Sequence, residues 1–306
     1  AVIMALRLIL GNSGSGKSYQ LYQHIIAESQ QNPQTEYLVI VPEQFTMQTQ
    51  KDLVTMHPNK GIMNIDVLSF ARLAHRIFEE VGQSHRAVLD DEGKNLILRK
   101  IAGAYEKDLK VLGGNPKKQG YISEVKSVIS EFAQYGVDGT DLEDLIGGMK
   151  ENSYLAWKLS DIQILSEGFY RYLSDKYITK EELLYVLRQV AGKSEILKDA
   201  VIALDGFTGF TPVQETLIGE LLQICKDVWV TVTGDEREDL FVYEHPYQLF
   251  GLSKQMVTGL IRTAREAKVK IEGPLCLYQK PVYRYRNNPE LAFLEEELFR
   301  YSRKTW

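Results

Sequence analysis

Ile9-Leu10-Gly11-Asn12-Ser13-Gly14-Ser15-Gly16-Lys17-Ser18 is the stretch on which the fold turns. The apolar residues Leu6, Leu8, Ile9 and Leu10 read as a buried strand. Behind the turn, residues 19–29 place Leu21, Ile25 and Ile26 at helical spacing. Strand, G-x-x-x-x-G-K-S turn and helix are the context of a phosphate-binding loop. Gly11, Gly14 and Gly16 let consecutive backbone N–H groups converge on a polyphosphate, and the helix adds its positive end. Lys17 then lies along the β- and γ-phosphates, and the Ser18 hydroxyl completes a magnesium shell. With Asn12, Ser13 and Ser15 filling the turn, residues 11–18 are the predicted nucleotide-binding segment.

The chain of 306 residues is 44% hydrophobic and 25% charged, which is ordinary for a globular fold with an ample core. No apolar run is long enough to span a bilayer, and the N-terminus lacks the order of a signal peptide. No membrane partner and a cytoplasmic location are therefore expected. Met4 reads as the natural start, with Ala1-Val2-Ile3 as additions ahead of it. Cys225 and Cys276 have no metal-type spacing and read as a reduced pair. His24, His57, His75, His85 and His245 are scattered, without an H-x-H or H-E-x-x-H pattern. A net charge of −5 argues against coating nucleic acid through bulk electrostatics, and is compatible with a local basic groove.

Residues 37–41 form a second buried strand ended by Pro42, and a loop over residues 43–46 leads into a polar helix. Residues 62–68 are a third strand, and Ser69 caps a helix carrying Phe70, Leu73, Ile77 and Phe78. Strands alternating with helices specify a parallel sheet, which binds ligands at the carboxyl ends of its strands. The loops at residues 11–17, 44–46 and 69–70 are therefore expected along one edge. From residue 90 to about residue 193 only helical periodicity is found. The helices run over residues 90–105, 120–135, from Asp138 to near Gly147, over 154–176, and onward from the capping box Thr179-Lys180-Glu181-Glu182. Asp90, Asp91 and Glu92 read as helix capping rather than as a carboxylate site.

Strand chemistry resumes at residues 200–205, with Asp205 at the carboxyl end where an acid can hold magnesium through water. A helix over residues 212–226 and a strand over 228–232 follow, ending in Thr233-Gly234-Asp235. A helix over 255–267, a strand over 268–271, an irregular stretch with Tyr283, Arg284, Tyr285 and Arg286, and a helix over 290–301 finish the chain. It stops soon after, which reads as a truncation. The domain reading is one α/β domain over residues 1–89 and 194–306, interrupted by an all-helical insertion over 90–193.

Several spacings resemble superfamily 1 helicases of the UvrD and RecB kind. Asp205-Gly206-Phe207-Thr208-Gly209-Phe210-Thr211-Pro212-Val213-Gln214 is similar to their D-E-F-Q-D-T-N-x-x-Q run. Thr233-Gly234-Asp235-Glu236-Arg237-Glu238-Asp239-Leu240-Phe241 is similar to G-D-x-x-Q-S-I-Y. Within that group, L-G-x-S-G-S-G-K, the V-P-E-Q-F-T loop at residues 41–46 and the L-S-F-x-R-L-A run at 68–74 resemble the AddB family of bacterial AddAB helicase–nucleases, over essentially the whole chain. The resemblance implies an α/β fold of the P-loop NTPase kind (RecA-like, helicase-type), a parallel sheet with an all-helical inserted subdomain. It implies ATP and Mg2+ as cofactors, Ser18 and Asp205 as metal holders, and Gln214 as phosphate sensor.

The same resemblance implies contact with DNA, mostly single-stranded, through Gln44, Phe45, Thr46, Ser69 and Phe70. Amides, hydroxyls and a stacking aromatic suit that task, while core packing is the competing reading of Phe45 and Phe70. Lys117-Lys118 is a basic loop able to meet phosphate, read instead as a solvated turn. The resemblance also implies an AddA-type helicase–nuclease partner that drives translocation, recognition of a recombination hotspot, and double-strand break repair. A nuclease domain with an iron–sulfur cluster is implied outside these residues, because two cysteines cannot ligate such a cluster.

The departures bear on turnover. Gly206 stands where those helicases carry the water-activating glutamate, and it offers no group to take a proton. Glu238 stands at the position of the glutamine that senses the γ-phosphate, where it repels rather than donates. The short lead ahead of Gly11 leaves no room for the upstream glutamine that reads adenine. The sequence therefore predicts nucleotide binding with weak or absent ATPase. A competent stand-alone P-loop ATPase or small kinase is the alternative. An interaction module that holds the AddA-type partner is a third reading, compatible with the first.

Overall fold

The run Ala5–Gly11 is strand β1, buried at every position but Arg7, the pattern of a strand covered on both faces. The computed structural model describes residues 4–82, 86–114, 119–150, 153–174 and 176–306. After β1 come α1 (Lys17–Gln31), β2 (Tyr37–Ile40), α2 (Thr46–Met56), β3 (Ile65–Leu68) and α3 (Phe70–Val81). A helix-rich stretch follows: β4 (Ala87–Val88), α4 (Asp91–Ala104), α5 (Gln119–Tyr135), α6 (Gly139–Gly147), α7 (Tyr154–Leu173), β5 (Tyr177–Ile178), α8 (Lys180–Ala191) and α9 (Glu195–Lys198). The remainder is β6 (Val201–Leu204), α10 (Pro212–Ile224), β7 (Asp227–Thr233), α11 (Gly251–Glu266), β8 (Lys270–Ile271), β9 (Leu275–Leu277) and α12 (Pro289–Glu297).

The main sheet runs β3-β2-β6-β7-β1-β8, with β9 also on β1, and its pairings among the described residues are parallel. Parallel strands put all their carboxyl ends on one edge. Gly11, Ile40, Leu68, Leu204 and Thr233 end there, so the loops at residues 11–17, 44–46 and 69–70 share an edge as expected. The stripe Leu21, Tyr22, Ile25 and Ile26 of α1 packs with Ile9, Tyr37, Val39, Leu53 and Val201 in one core. Each fully buried Leu or Ile there contributes roughly 2 kcal/mol. This α/β architecture with a parallel sheet is consistent with a RecA-like fold.

The described chain divides into two compact units. One comprises Ala1–Val81, Leu187–Phe210 and Gln214–Trp306, and the other Gly82–Val186 and Thr211–Val213. In the second, α4, α5 and α7 enclose Leu98, Ile101, Ile122, Val125, Leu165 and Phe169. Asp90 caps α4 by accepting from the Gly93 N–H at 2.7 Å, so the acidic run is a cap. Thr179 and Glu182 bond each other's backbone N–H at 3.2 and 2.9 Å, the reciprocal capping box read from the sequence. Fully buried Asp161 accepts the N–H groups of Lys110, Val111 and Leu112 at 2.9, 2.7 and 2.8 Å and so shapes their loop.

Several boundaries differ from the sequence reading. The stretch read as purely helical contains β5, which pairs with β4, and α7 stops at Leu173 rather than at residue 176. Strands of two residues are too short to carry a periodicity signal. Strand β3 begins at Ile65, and just ahead of it the Asn64 side-chain amide donates to the carbonyls of Ser29, Asn32 and Thr35 at 3.2, 3.2 and 2.9 Å. The stretch read as irregular holds β9 and a short 3-10 turn, Tyr283–Tyr285. Helix α12 ends at Glu297, short of residue 301, where Leu298 turns extended. Lys117 and Lys118 lie outside the described residues. Among the described residues no helix is long and apolar enough to cross a membrane.

Candidate functional site

Gly14 and Gly16 adopt φ of 78° and 92°, a left-handed geometry that turns the chain sharply between β1 and α1. At Gly11 a Cβ would fall 2.6 Å from the Leu277 carbonyl oxygen, so glycine is required for β9 to lie alongside. Asn12 is buried, Ser13 is exposed, and Ser15, Lys17 and Ser18 are half-buried. The first residue of α1 is Lys17, whose Nζ donates to the Asn12 carbonyl at 2.8 Å. Burial lowers the Lys17 pKa to about 8; Asp205 opposes that shift, Arg284 adds to it, and Glu295 opposes it. The turn thus carries one ammonium group folded back onto its own backbone.

Residues distant in sequence close round this turn. The Arg284 N–H donates to the Gly14 carbonyl at 3.0 Å, and the Asn12 amide donates to Glu295 Oε1 at 3.4 Å. Next door, Asp235 is 1% exposed and accepts from Arg237 at 2.7 and 2.9 Å and from Arg300 Nε at 2.9 Å. Burial alone would push this carboxyl up, but the two guanidinium groups outweigh it and hold it well below the usual range.

One turn along α1, the Ser18 hydroxyl donates to Asp205 Oδ1 at 3.0 Å. Asp205 follows β6 and is itself buried. Strand β7 lies between β6 and β1, so its Thr231 can donate to Oδ1 of the same acid at 2.6 Å. Tyr22 donates to Oδ2 at 2.6 Å. Burial first, and then the adjacent Asp205 charge, push the Tyr22 phenol far above its usual range, so it stays a donor. Ser18 and Asp205, one hydroxyl and one acid in contact, fit a magnesium ion that keeps most of its water.

Other residues singled out from the sequence are placed as follows. Gly206 has φ of 79° directly after Asp205. Gln214 is half-buried in the first turn of α10. Glu238 is paired with buried Lys254 at 2.5 Å, which neutralises it locally. Gln44 and Phe45 are exposed on a 3-10 turn, whereas Thr46, Ser69 and Phe70 are buried. The Thr46 hydroxyl donates to the Glu43 carbonyl at 2.9 Å, and Ser69 Oγ accepts the Arg72 N–H at 3.3 Å as a helix cap. Phe70 packs on Phe207 at 5.5 Å between ring centres, and Phe207 on Phe210 at 5.2 Å.

Sequence reasoning missed Tyr22, Thr231, Arg284 and Glu295. Tyr22 stands four residues after Ser18 and so on the same helix face, a legible signal. Thr231 is a polar residue inside an apolar strand, legible as well. The other two are brought in only by the path of the chain after β9.

Fold and site define an α/β chain with a glycine-rich, ammonium-bearing turn at the carboxyl edge of a parallel sheet, facing a buried acid. The protein family described as ADDB, N-terminal, matches residues 8–295. This chain belongs to that AddB N-terminal family. An ATP-dependent helicase/deoxyribonuclease subunit from Lachnoclostridium phytofermentans is 45% identical over 99% of this chain and 27% of its own length. The proteins of the same name from Desulforudis audaxviator and Clostridium acetobutylicum are 36% and 32% identical, each over 97% of this chain. The chain thus spans about a quarter of the length of these relatives, 25–27%.

Proposed function

We propose that this chain is the nucleotide-binding, helicase-like part of a helicase–nuclease subunit, with a P-loop fold of the RecA kind that binds ATP and magnesium and hydrolyses ATP weakly or not at all. The observation that carries the reading is the 3.0 Å contact between Ser18 and Asp205. It joins the glycine-rich turn to the acid across the intervening strand β7. The amides of residues 13–18 and the Lys17 ammonium would hold the phosphates, and Ser18 with Asp205 would hold the hydrated metal. Bound magnesium would offset phosphate charge. Gly206, beside that acid, supplies no group to take a proton from water.

The family supports a place in a two-subunit helicase–nuclease, beside an AddA-type partner that drives movement along DNA in double-strand break repair. Exposed Gln44 and Phe45 are the residues best presented to single-stranded DNA, with Thr46, Ser69 and Phe70 as the packed support behind them. Nuclease chemistry and its iron–sulfur cluster belong to other parts of such a protein.

ATP affinity and turnover, with and without single-stranded DNA, test the reading against Lys17→Ala. Wild type should bind ATP and turn it over little, and the variant should lose about tenfold or more in affinity, roughly 1.4 kcal/mol. Vigorous DNA-stimulated hydrolysis abolished by Lys17→Ala would show a competent motor instead.

A further inference from the structure

The Asp205 carboxylate is crowded with hydroxyls. An ionised carboxylate offers about four lone-pair sites. Ser18 and Thr231 take two on Oδ1, at 3.0 and 2.6 Å. Tyr22 takes a third on Oδ2 at 2.6 Å, a distance in the range of strong O–H···O⁻ bonds. An acid that holds a metal through water must accept hydrogen bonds from that water, and little acceptor capacity remains here.

The Tyr22 contact is built in. The residue is 5% exposed and packs among Leu21, Ile25, Leu53 and Val39. Among the described residues its only other hydrogen-bond partner is Thr49 Oγ1, at the long distance of 3.5 Å. The hydroxyl therefore has no comparable place to turn. Tyr22 also follows Ser18 by one helical turn, so the same rigid face of α1 presents both hydroxyls to the acid. Positive charge at the turn comes from the chain itself: the Arg284 side chain lies against Gly14, with Nε 3.4 Å from where a Cβ there would stand.

We propose that Tyr22 is a positioning residue that fixes Asp205 as an anchor for Ser18 and leaves it a single acceptor site, on Oδ2, for metal-bound water, so that ATP binding at this turn depends only weakly on magnesium. The inference rests on the reading of the turn as a triphosphate cradle. It deepens that reading by naming metal-free nucleotide as an acceptable ligand.

The test is ATP binding to the full chain by calorimetry, in magnesium and in EDTA, for wild type, Tyr22→Phe and Thr231→Val. Wild type should bind within about threefold in the two buffers, whereas Tyr22→Phe, with Oδ2 released, should bind about tenfold tighter with magnesium than without, the scale of one recovered hydrogen bond. Thr231→Val, which removes a donor to the other oxygen, should shift the ratio in the same direction by less. Wild-type affinity that falls more than about tenfold in EDTA would overturn the inference while leaving the nucleotide reading intact. A folded Tyr22→Phe with the wild-type ratio would overturn the role of Tyr22. Absence of ATP binding in both buffers, or binding indifferent to Lys17→Ala, would overturn the nucleotide reading and this inference together. The wild-type comparison needs no variant, so a Tyr22→Phe that fails to fold still leaves the proposal open to refutation.

Discussion

Two buried aspartates, one in each compact unit, make the same number of bonds to different ends. Asp161 in the helical unit accepts three backbone N–H groups, and Asp205 in the α/β unit accepts three side-chain hydroxyls. Backbone N–H groups can only donate, and their direction is fixed by the chain. An acid that collects them pins a loop and has nothing further to offer a ligand. Hydroxyls rotate, and each keeps lone pairs after donating its proton. An acid that collects them can hold, as Asp205 holds half-buried Ser18, a group that keeps lone pairs for a metal. Charge and burial alone do not distinguish the two sites; the donors do.

Removing the two carboxylates gives the sharpest contrast. Asp161→Ala should cost about 4 kcal/mol in denaturant unfolding, since three buried N–H groups lose their acceptor, while ATP affinity is unchanged. Asp205→Ala should cost less, about 2 kcal/mol, because half-buried Ser18 can turn to solvent and only the Tyr22 and Thr231 hydroxyls lose a buried acceptor, and it should alter ATP binding. Equal stability losses would break the distinction. Next in size is Gly206→Glu, which places the side chain missing beside Asp205. Its φ of 79° lies in the left-handed region, so the substitution should cost about 1–2 kcal/mol and restore no turnover. A steady-state ATPase assay showing rescue would mean that only the glutamate had been lacking.

The smallest effect concerns protons. With the Lys17 pKa lowered to about 8, half of the free chain is uncharged there, and a bound phosphate favours the ammonium form. ATP binding should therefore take up about half a proton at pH 8 and about a tenth at pH 7, read from binding heats in buffers of different ionisation enthalpy. Zero uptake at pH 8 would mean that Lys17 is already fully charged. The sign for stability is opposite to that of a salt-bridged lysine. A depressed ammonium pKa costs stability below pH 8, and the cost is relieved as pH rises above it.

Much of this was legible before any coordinates. The strand, the glycine pattern and the helix around residues 11–18 are local, and alternating strand and helix signals specify a parallel sheet with its loops on one edge. Asp90 and Thr179 were readable as caps because capping uses neighbours three residues away. What was lost followed from distance and brevity. Strands β4, β5 and β9 are two or three residues long and gain their meaning only from a partner strand. Phe45 and Phe70 had the same two readings from sequence; burial separated them, leaving Phe45 half-exposed and Phe70 packed on Phe207.

The sequence by itself determined the parts whose physics is local: the left-handed glycines, the helix that begins at Lys17, the acid that follows a strand, and the glycine, Gly206, directly after that acid. Only the tertiary structure decided what surrounds those parts. Placing β7 between β6 and β1 brings Thr231 to Asp205, and running the chain past β9 brings Arg284 and Glu295 to the turn. Hydrogen bonds act over about 3 Å whatever the separation along the chain, so the partners of a buried acid are a property of packing.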